Sequence, residues 1–267
     1  MEIRSLGFRT DLAVLELGGS RIEDHGGHLI VRTPHNPAFW WGNFLLLPSV
    51  PEPAQIDGWL ARFAAAFPEA AHIAVGIDDP AGTRDDAAGF LARAFDLDFS
   101  EVMIAGQVGP PATLTSDAIC RQLHSDSDWQ QSVELHIRCG DEPASATAEY
   151  RRFATAKAAS NRSLVGAGHG GWFGAFIDDR LVAHMGLIRV APDLARFQTV
   201  GTDPDFRRRG LAGMLVHHAG RVGLTEWGAK TLVMVADPDY FAIDLYRSLG
   251  FVTAESQLQI ARRPPGG

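Results

Sequence analysis

Cysteine is scarce in this sequence. Only Cys120 and Cys139 occur among the 267 residues, and they do not form a C-x-x-C pair. Disulfide-stabilised secreted domains are usually much shorter and richer in cysteine, whereas a chain of this length can bury a core without covalent bridges. The sequence therefore predicts a reduced, cytoplasmic protein.

Long apolar runs are also missing. The sequence contains no stretch of about 18 apolar residues, so no membrane-spanning helix and no membrane partner are expected. Residues 1–19 carry scattered charges and have no uninterrupted apolar centre. This segment is therefore not expected to be a signal peptide.

Positive charge is in deficit, with 24 Lys and Arg against 32 Asp and Glu, for a net charge of −8. This balance gives a nucleic-acid partner no overall electrostatic support. The run Arg207-Arg208-Arg209 is a local exception, and it suits a small anionic ligand better than a long polyanion. His25 and His28 have metal-like spacing but no third ligand beside them, so no metal site is predicted.

The arginine run lies between a predicted strand and a predicted helix. Residues 197–202 favour a strand, Asp203-Pro204 ends it, and apolar residues recur at helical spacing from Leu211. The first N–H groups of a helix lack partners within it and form a site for an anion such as phosphate. Gly210 would let the backbone approach that anion closely. The segment matches neither G-x-x-x-x-G-K-[ST] nor G-x-G-x-x-G.

Two motifs resemble those of the GCN5-related N-acetyltransferases, the GNAT superfamily. Residues 207–212 resemble the [QR]-x-x-G-x-[GA] loop, which holds the pyrophosphate of acetyl-CoA in that family. Residues 236–251, ADPDYFAIDLYRSLGF, resemble N-x-x-A-x-x-x-Y-x-x-x-G-F, with Asp239 where asparagine is usual. The residues that match this second motif are Ala242, Tyr246, Gly250 and Phe251.

The predicted order of elements is similar to that of the same family. Residues 118–261 read as a strand, two helices, three strands, then a helix, a strand, a helix and a strand. The resemblance implies an α/β (α+β) GNAT fold with a mixed central sheet and helices on both faces. We expect a catalytic GNAT domain at 118–267 and, from its two glycines and two prolines nearby, a linker at 109–117.

Residues 1–108 repeat the latter part of that order and are predicted to form a smaller, degenerate GNAT-like lobe, as in tandem GNAT proteins. This part lacks an arginine-glycine loop, and Leu91 stands where the motif tyrosine would be. An unrelated α/β cap is the alternative.

Five local predictions are more specific. They are a strand at 11–17, a strand at 39–47, a helix at 83–95, a helix from 129 capped by Asp126, Ser127 or Asp128, and a helix at 144–160.

The resemblance implies an acyltransferase that uses acetyl-CoA as co-substrate, without a metal, and acetylates a primary amine by direct attack. Tyr246 would be the general acid. Glu149, His184 and Gln198 are candidate members of the path that removes the amine proton. The implied cofactor-binding residues are Val200, Gly201, Thr202, Arg207, Arg208, Arg209, Gly210, Leu211, Ala212 and Asp239.

The partner would be a small-molecule amine or a peptide amine, and the protein a monomer or homodimer. A non-catalytic acyl-CoA binding or sensor protein is the alternative function.

Overall fold

The computed structural model describes residues 1–115, 117–140 and 144–263. The chain divides into two compact units. The first contains Met1–Val102, Val235–Tyr240 and the residues from Ala254 onwards, and the second contains Met103–Met234 and Phe241–Thr253. The chain passes from the first unit to the second within a strand, so the predicted linker at 109–117 belongs to the second unit.

The helices and strands run through the chain in the following order. The helices are α1 (Leu6–Leu17), α2 (Ile56–Ala66), α3 (Ala88–Leu91), α4 (Asp126–Cys139), α5 (Ala148–Gly166), α6 (Leu211–Arg221) and α7 (Ala242–Ser248). The strands are β1 (Arg21–Asp24), β2 (Leu29–Arg32), β3 (Phe44–Leu47), β4 (Ile73–Ile77), β5 (Asp96–Ala105), β6 (Ile119–Gln122), β7 (Gly170–Ile177), β8 (Arg180–Ala191), β9 (Leu194–Thr202), β10 (Thr231–Ala236) and β11 (Val252–Arg262).

The first unit is a sheet in the order β1-β2-β3-β4-β11. Strands β3 and β4 are parallel, whereas the pairs β1–β2, β2–β3 and β4–β11 are antiparallel. Strand β3 reads Phe-Leu-Leu-Leu and is buried at every position, as expected of a strand covered on both faces. Its core includes Phe8, Phe44, Ile56, Phe63, Phe90 and Leu258.

The strand predicted at 11–17 is wrong, because this segment belongs to helix α1. Ser5 caps the helix by accepting a hydrogen bond from the Phe8 N–H at 3.2 Å. Phe8, Leu12 and Leu15 then follow at helical spacing and are all buried. The predicted strand began at Asp11, but the apolar face that is actually buried begins earlier, at Phe8.

Two further predictions in the first unit were too long. The strand predicted at 39–47 is confined to β3, because Trp40–Gly42 form a 3-10 turn. The helix predicted at 83–95 is a 3-10 turn at Arg84–Ala87 followed by the short α3. Ala94 then adopts a left-handed backbone conformation with φ 57°, which helical residues do not adopt.

The second unit is a sheet in the order β10-β9-β8-β7-β6, with α4 and α5 on one face and α6 on the other. Neighbouring residues of β7 show the two faces, because side chains alternate along a strand. Trp172 packs against Trp129 of α4, with ring centroids 6.1 Å apart, whereas Phe173 packs against His218 of α6 at 5.7 Å. The order of elements from β6 to β11 is the predicted one, and the sheet is mixed because β9 and β10 run parallel.

Helix α4 begins earlier than predicted, and helix α5 begins later. Helix α4 begins at Asp126, and its cap is Ser125, which accepts from the Asp128 N–H at 3.1 Å, rather than one of the three predicted residues. Helix α5 is displaced toward the C-terminus relative to 144–160, because Thr147 caps it. Ala144–Ala146, the start of the predicted segment, form a separate 3-10 turn.

Candidate functional site

Strands β9 and β10 part shortly after they meet. They pair in parallel only over Leu194–Arg196 and Thr231–Val233, although β9 continues to Thr202. From Phe197 onward, the edge of β9 that faces β10 therefore has no neighbouring strand in the described structure. An unpaired strand edge presents N–H and C=O groups that an extended ligand can bond as an added strand.

A β-bulge accompanies this opening. On the side of β8, His184 lies opposite Gly201 and Gly186 lies opposite Gln198, so two residues of β9 face one residue of β8. Thr199 is in the bulge and has a left-handed φ of 48°, which non-glycine residues seldom adopt. Bulges bend a strand and increase its twist, and this one lies where β9 has left β10.

Helix α6 starts without a side-chain cap. Its N-cap is Gly210, with φ 79°, and no side chain in the described residues accepts a hydrogen bond from the N–H groups of Leu211, Ala212 or Gly213. Helices α1, α4 and α5, by contrast, are each capped by a serine or threonine. Arg208 also has a positive φ, 61°, so the chain turns twice before the helix. Free N–H groups at the positive end of a helix form an anion site.

The three arginines of this loop are not equivalent. Arg207 and Arg208 are exposed, whereas Arg209 donates to both carboxylate oxygens of Asp117, at 2.9 and 3.2 Å. The guanidinium of Arg209 also lies over the ring of Phe206. The sequence predicted all three arginines at the anion, but the structure shows Arg209 held by a carboxylate, while Arg207 makes only a long hydrogen bond of 3.4 Å from Nε to the Thr202 carbonyl.

The segment before β6 lies along α6 and reaches the loop. His217 Nδ1 forms a hydrogen bond of 2.7 Å with the Gly109 carbonyl, and Thr115 donates to the Arg209 carbonyl. A Cβ on Gly210 would lie 2.8 Å from the Thr113 carbonyl oxygen, so only glycine fits here. The sequence did not indicate this contact, because it depends on residues about a hundred positions apart.

Tyr246 lies in α7 and is buried, with 5% of its surface exposed. Its ring contacts Phe251 edge-on at a centroid distance of 6.3 Å, and Phe251 in turn contacts Phe197 of β9 at 5.8 Å. This aromatic column fixes α7 against the strand that carries the bulge. Helix α7 and Phe251 of the second motif therefore lie beside β9 in the second unit.

Asp239 is placed differently from the other predicted site residues. It lies in the first unit, its side chain is 74% exposed, and its carboxylate accepts from Arg84 at 2.5 Å. The remaining predicted residues, from Val200 to Ala212 together with Tyr246, all lie in the second unit. The structure thus gives Asp239 an arginine partner within its own unit.

A buried histidine lies beneath the bulge. His184 is 1% exposed, its Nδ1 shares a hydrogen bond of 2.7 Å with Ser132 Oγ, and its Nε2 is buried without a partner in the described residues. A Cβ on Gly201 would lie 3.1 Å from that Nε2. Burial, followed by the charges of His136 and Arg138, lowers the pKa of His184 from 6.5 to about 3. His184 is therefore neutral at physiological pH.

The surroundings of His184 include residues that the sequence did not single out. Tyr150 stacks on His136 at 5.9 Å with an interplanar angle of 7°, and His136 lies 6.3 Å from His184. Cys139 donates from Sγ to the Thr202 carbonyl at 3.4 Å. Burial also lowers the pKa of His136 and raises that of the Cys139 thiol. These groups come from α4 and α5, so only the folded arrangement brings them to β9.

The other two candidate members of the proton path, Glu149 and Gln198, occupy different environments. Glu149 is exposed at the start of α5, and Gln198 is half-buried in β9 beside the bulge. In the part of the chain that the structure describes, no group of three His, Cys, Asp or Glu side chains is placed to hold a metal ion. No helix within the described residues is long and apolar enough to cross a bilayer.

Comparisons with known proteins support one family. Residues 129–251 match the Acetyltransferase (GNAT) family. A curated relative, the [ribosomal protein bS18]-alanine N-acetyltransferase of Salmonella typhimurium, is 38% identical over 74 residues, which are 28% of this chain and 49% of the relative. The chain thus spans about half the length of the curated relative that it matches.

Solved structures resemble nearly the whole chain. A conserved protein of unknown function from Staphylococcus epidermidis has a TM-score of 0.72 at 12% identity, with 91% of this chain and 93% of that one covered. A GCN5-related N-acetyltransferase from Kribbella flavida has a TM-score of 0.65 at 16% identity, with 98% of both chains covered. At these identities the similarity shows a shared fold.

Proposed function

Since the GNAT domain at residues 129–251 places this chain in the GNAT superfamily, we propose that it is an acyltransferase that moves an acetyl group from acetyl-CoA to a primary amine. The observation that carries the proposal is the coincidence, in one unit, of the open edge of β9 and the uncapped start of α6. An extended chain with a diphosphate at one end needs both features.

The residues present fit such a co-substrate. The N–H groups of Leu211, Ala212 and Gly213 would hold the pyrophosphate, with Arg207 and Arg208 beside it. The backbone of 200–202 would bond the pantetheine amides along the edge that β10 leaves free. Acetyl-CoA supplies the activated acetyl thioester, and the chain supplies its orientation and a dry surface.

Tyr246 is proposed as the general acid that protonates the departing CoA thiolate. A general acid must lie within hydrogen-bond reach of its target, and its position must be fixed. The aromatic column through Phe251 and Phe197 holds α7 against β9 and so fixes this ring. Asp239, the cofactor contact expected from the second motif, is paired with Arg84 in the first unit and is given no role in the proposed cofactor site.

The amine attacks the thioester directly once it has lost its proton. His184 is poorly suited to take that proton near neutral pH, because its pKa is held at about 3 and its free nitrogen is buried. Gln198 has no titratable group and would act only by holding a water molecule. Glu149 is exposed to solvent. We therefore propose proton loss through ordered water and name no base.

We propose that the first 108 residues form a degenerate GNAT-like half without a cofactor site. In this part of the first unit the parallel strands β3 and β4 remain paired through Leu47 and Ile77, and the Asp78 N–H then donates to the Leu47 carbonyl at 2.8 Å. The guanidinium of Arg4 donates to the Pro48 and Asp78 carbonyls, just beyond the paired ends. Strand ends that are paired and capped leave no edge for a ligand.

The acceptor is proposed to be a small-molecule amine or a peptide amine. The curated relative is named for a ribosomal protein alanine, so a peptide that begins with alanine belongs in the first acceptor screen beside amino acids, polyamines and aminoglycosides. We place the activity in the cytoplasm, in a monomer or homodimer, which size-exclusion chromatography of the purified chain would distinguish.

Calorimetric titration of acetyl-CoA tests the cofactor site. We expect micromolar binding by the wild type and a loss of about 2 kcal/mol in the Arg207→Ala/Arg208→Ala variant, as for lost charged hydrogen bonds. Arg162→Ala is the control, because Arg162 is exposed on α5 and pairs with exposed Asp126. No binding by the wild type, or an equal loss in the control, would refute the site.

Thiol release during the acceptor screen tests the chemistry. We expect Tyr246→Phe to lower kcat by about 10²- to 10⁴-fold with an unchanged Kd for acetyl-CoA, which is the range for a lost general acid. An equal kcat would remove Tyr246 from the mechanism. Tight acetyl-CoA binding with no thiol release for any amine would favour the acyl-CoA sensor instead.

A further inference from the structure

A cavity of about 270 Å³ lies on the outer side of α4, in the second unit. Its lining residues are Ser127, Gln130, Gln131, Glu134, Arg138 and Arg180. Five of them share one face of α4, and Arg180 begins β8. Ligand pockets usually start near 300 Å³, so this volume suits a small molecule or one polar group of a larger one.

A buried carboxylate fixes the two arginines of this cavity. Asp203 is 1% exposed, and its Oδ2 accepts from Arg138 Nε at 3.2 Å, from Arg138 Nη2 at 3.1 Å and from Arg180 Nη2 at 2.9 Å. Its Oδ1 accepts from the Asp205 N–H. Two flexible side chains are thereby held in place before any ligand arrives, which lowers the entropy cost of binding.

Both guanidiniums keep donors that Asp203 does not use. In the described part of the chain, Arg138 Nη1 and Arg180 Nε and Nη1 make no hydrogen bond, and the side chains are 40% and 51% exposed. Arg180 also stacks on Phe206, with its Cζ 4.9 Å from the ring centroid. A guanidinium that is anchored at one edge presents its other N–H groups in a fixed direction, as bidentate recognition of a carboxylate or phosphate requires.

The charge balance of the cavity favours an anion. Glu134 is the cavity's own carboxylate, but Arg151 binds both of its oxygens, at 2.5 and 3.0 Å. One further carboxylate, Asp203, is shared by the two cavity arginines, so Arg138, Arg180 and the Arg151 that pairs with Glu134 together outnumber the two carboxylates. Ser127 and Gln130 are exposed, have no protein partner in the described residues and can donate to the same anion.

We propose that this cavity binds a small anion, through a carboxylate or phosphate group held by Arg138 and Arg180. Asp203 lies between the end of β9 and the arginine loop, so the cavity adjoins the proposed cofactor site without sharing its residues. The anion has two possible sources, a separate small molecule or a phosphate of acetyl-CoA. The proposal does not depend on acetyl transfer, because the cavity and its charges stand without it.

The experiment measures binding of inorganic phosphate and of glutarate by calorimetry, with sodium chloride adjusted to hold the ionic strength constant. The most informative variant is Gln130→Glu, which adds a negative charge to the cavity and removes no partner of Asp203. Arg180→Gln removes a binding group and leaves Arg138 on Asp203. Arg162→Gln is the matched control, because it makes the same change of charge on an exposed residue outside the cavity.

We expect saturable binding of at least one probe by the wild type, at least tenfold weaker binding in Gln130→Glu and in Arg180→Gln, and a change of less than twofold in Arg162→Gln. Absence of saturable binding by the wild type would overturn the proposal. So would equal losses in the control, or an unchanged affinity in Gln130→Glu when Arg180→Gln is also unaffected.

Competition identifies the source of the anion. If glutarate or phosphate leaves the affinity for acetyl-CoA unchanged, the anion is a separate small molecule. If the probes weaken acetyl-CoA binding but not binding of 3′-dephospho-acetyl-CoA, the cavity receives the 3′-phosphate of the cofactor. A failure of the wild type to bind acetyl-CoA would refute the proposed function, whereas saturable binding of phosphate or glutarate by the same protein would still support the anion site.

Discussion

Acidification should destabilise this protein through one buried residue, His184. Its pKa is about 3 in the folded chain, against 6.5 for an unperturbed histidine. Between these values the unfolded chain binds a proton that the folded chain does not, so stability is complete above pH 6.5 and falls as the pH falls. Each pH unit contributes about 1.4 kcal/mol. Over the first two units below 6.5, His184 alone therefore lowers the free energy of unfolding by about 3 kcal/mol.

The assay compares urea unfolding of the wild type and of His184→Gln from neutral pH downward at constant ionic strength. Other titrating groups, including His136, are present in both proteins, so the difference in slope isolates His184. We expect the free energy of unfolding to fall with pH more steeply in the wild type than in His184→Gln. The expected difference in slope is close to that of one bound proton, about 1.4 kcal/mol per pH unit. His124→Gln serves as the control for the substitution itself, because the side chain of His124 is exposed.

The ring protons of His184 give an independent measurement by NMR. The chemical shifts of these protons should not change between neutral pH and about pH 5, where a solvated histidine would already be charged. Equal unfolding slopes in the wild type and His184→Gln, or a His184 titration near 6.5, would refute the claim that this ring is buried and neutral. The same result would return His184 to the list of candidate bases for the acetyl transfer.

Four further substitutions test the geometry. Gly210→Ala should lower the free energy of unfolding by about 1–2 kcal/mol and weaken acetyl-CoA binding, because φ is +79° and the Thr113 oxygen lies 2.8 Å from the new Cβ; Gly58→Ala, in an open position of α2, should instead stabilise slightly. Gly186→Ala should cost about 1–3 kcal/mol in urea unfolding, because its Cβ would lie 2.3 Å from the Trp172 ring; an unchanged midpoint would contradict this. Asp128→Asn should lower the free energy of unfolding by about 1–2 kcal/mol, because Arg121 binds both Asp128 oxygens at 2.8 Å. This figure is reduced because Arg121 is partly exposed and solvent weakens the ion pair. Arg121 and two N–H groups hold the pKa of Asp128 far below its usual value, so this stability is present above about pH 4 and is lost as the pH falls; a pH-independent cost would contradict that.

The sequence predicted the elements whose cause is local. The strand-loop-helix unit around Gly210 was found because a glycine and a periodic apolar helix follow a strand-breaking Asp203-Pro204. Helix α1 was missed because residues 11–17 were considered without the residues before them, and only the cap at Ser5 shows where the helical face begins. A local pattern therefore predicts a helix or strand correctly only when the residue that starts it can be recognised in the sequence.

Contacts across long stretches of chain were out of reach. The hydrogen bond of Ser132 to His184 joins residues 52 positions apart, and the ion pair of Asp117 with Arg209 joins residues 92 apart. Neither pair forms a spacing that a single sequence displays. The Asp203 anchor of the cavity is similar, since its two arginines come from α4 and β8. Burial and charge pairing, which fix the chemistry of these groups, arise only in the folded chain.

Strand pairing decides which of the parallel pairs β3–β4 and β9–β10 can receive an extended ligand. A strand edge that is already hydrogen-bonded has no N–H or C=O groups left to offer. In the second unit, β9 leaves β10 after three paired residues and bends at Thr199, so its edge is open beside an uncapped helix. In the first unit, β3 and β4 remain paired to their ends. A loop motif grafted onto the first pair would therefore create an anion site without a groove for the pantetheine, and restoring binding there would first require a bulge in β3.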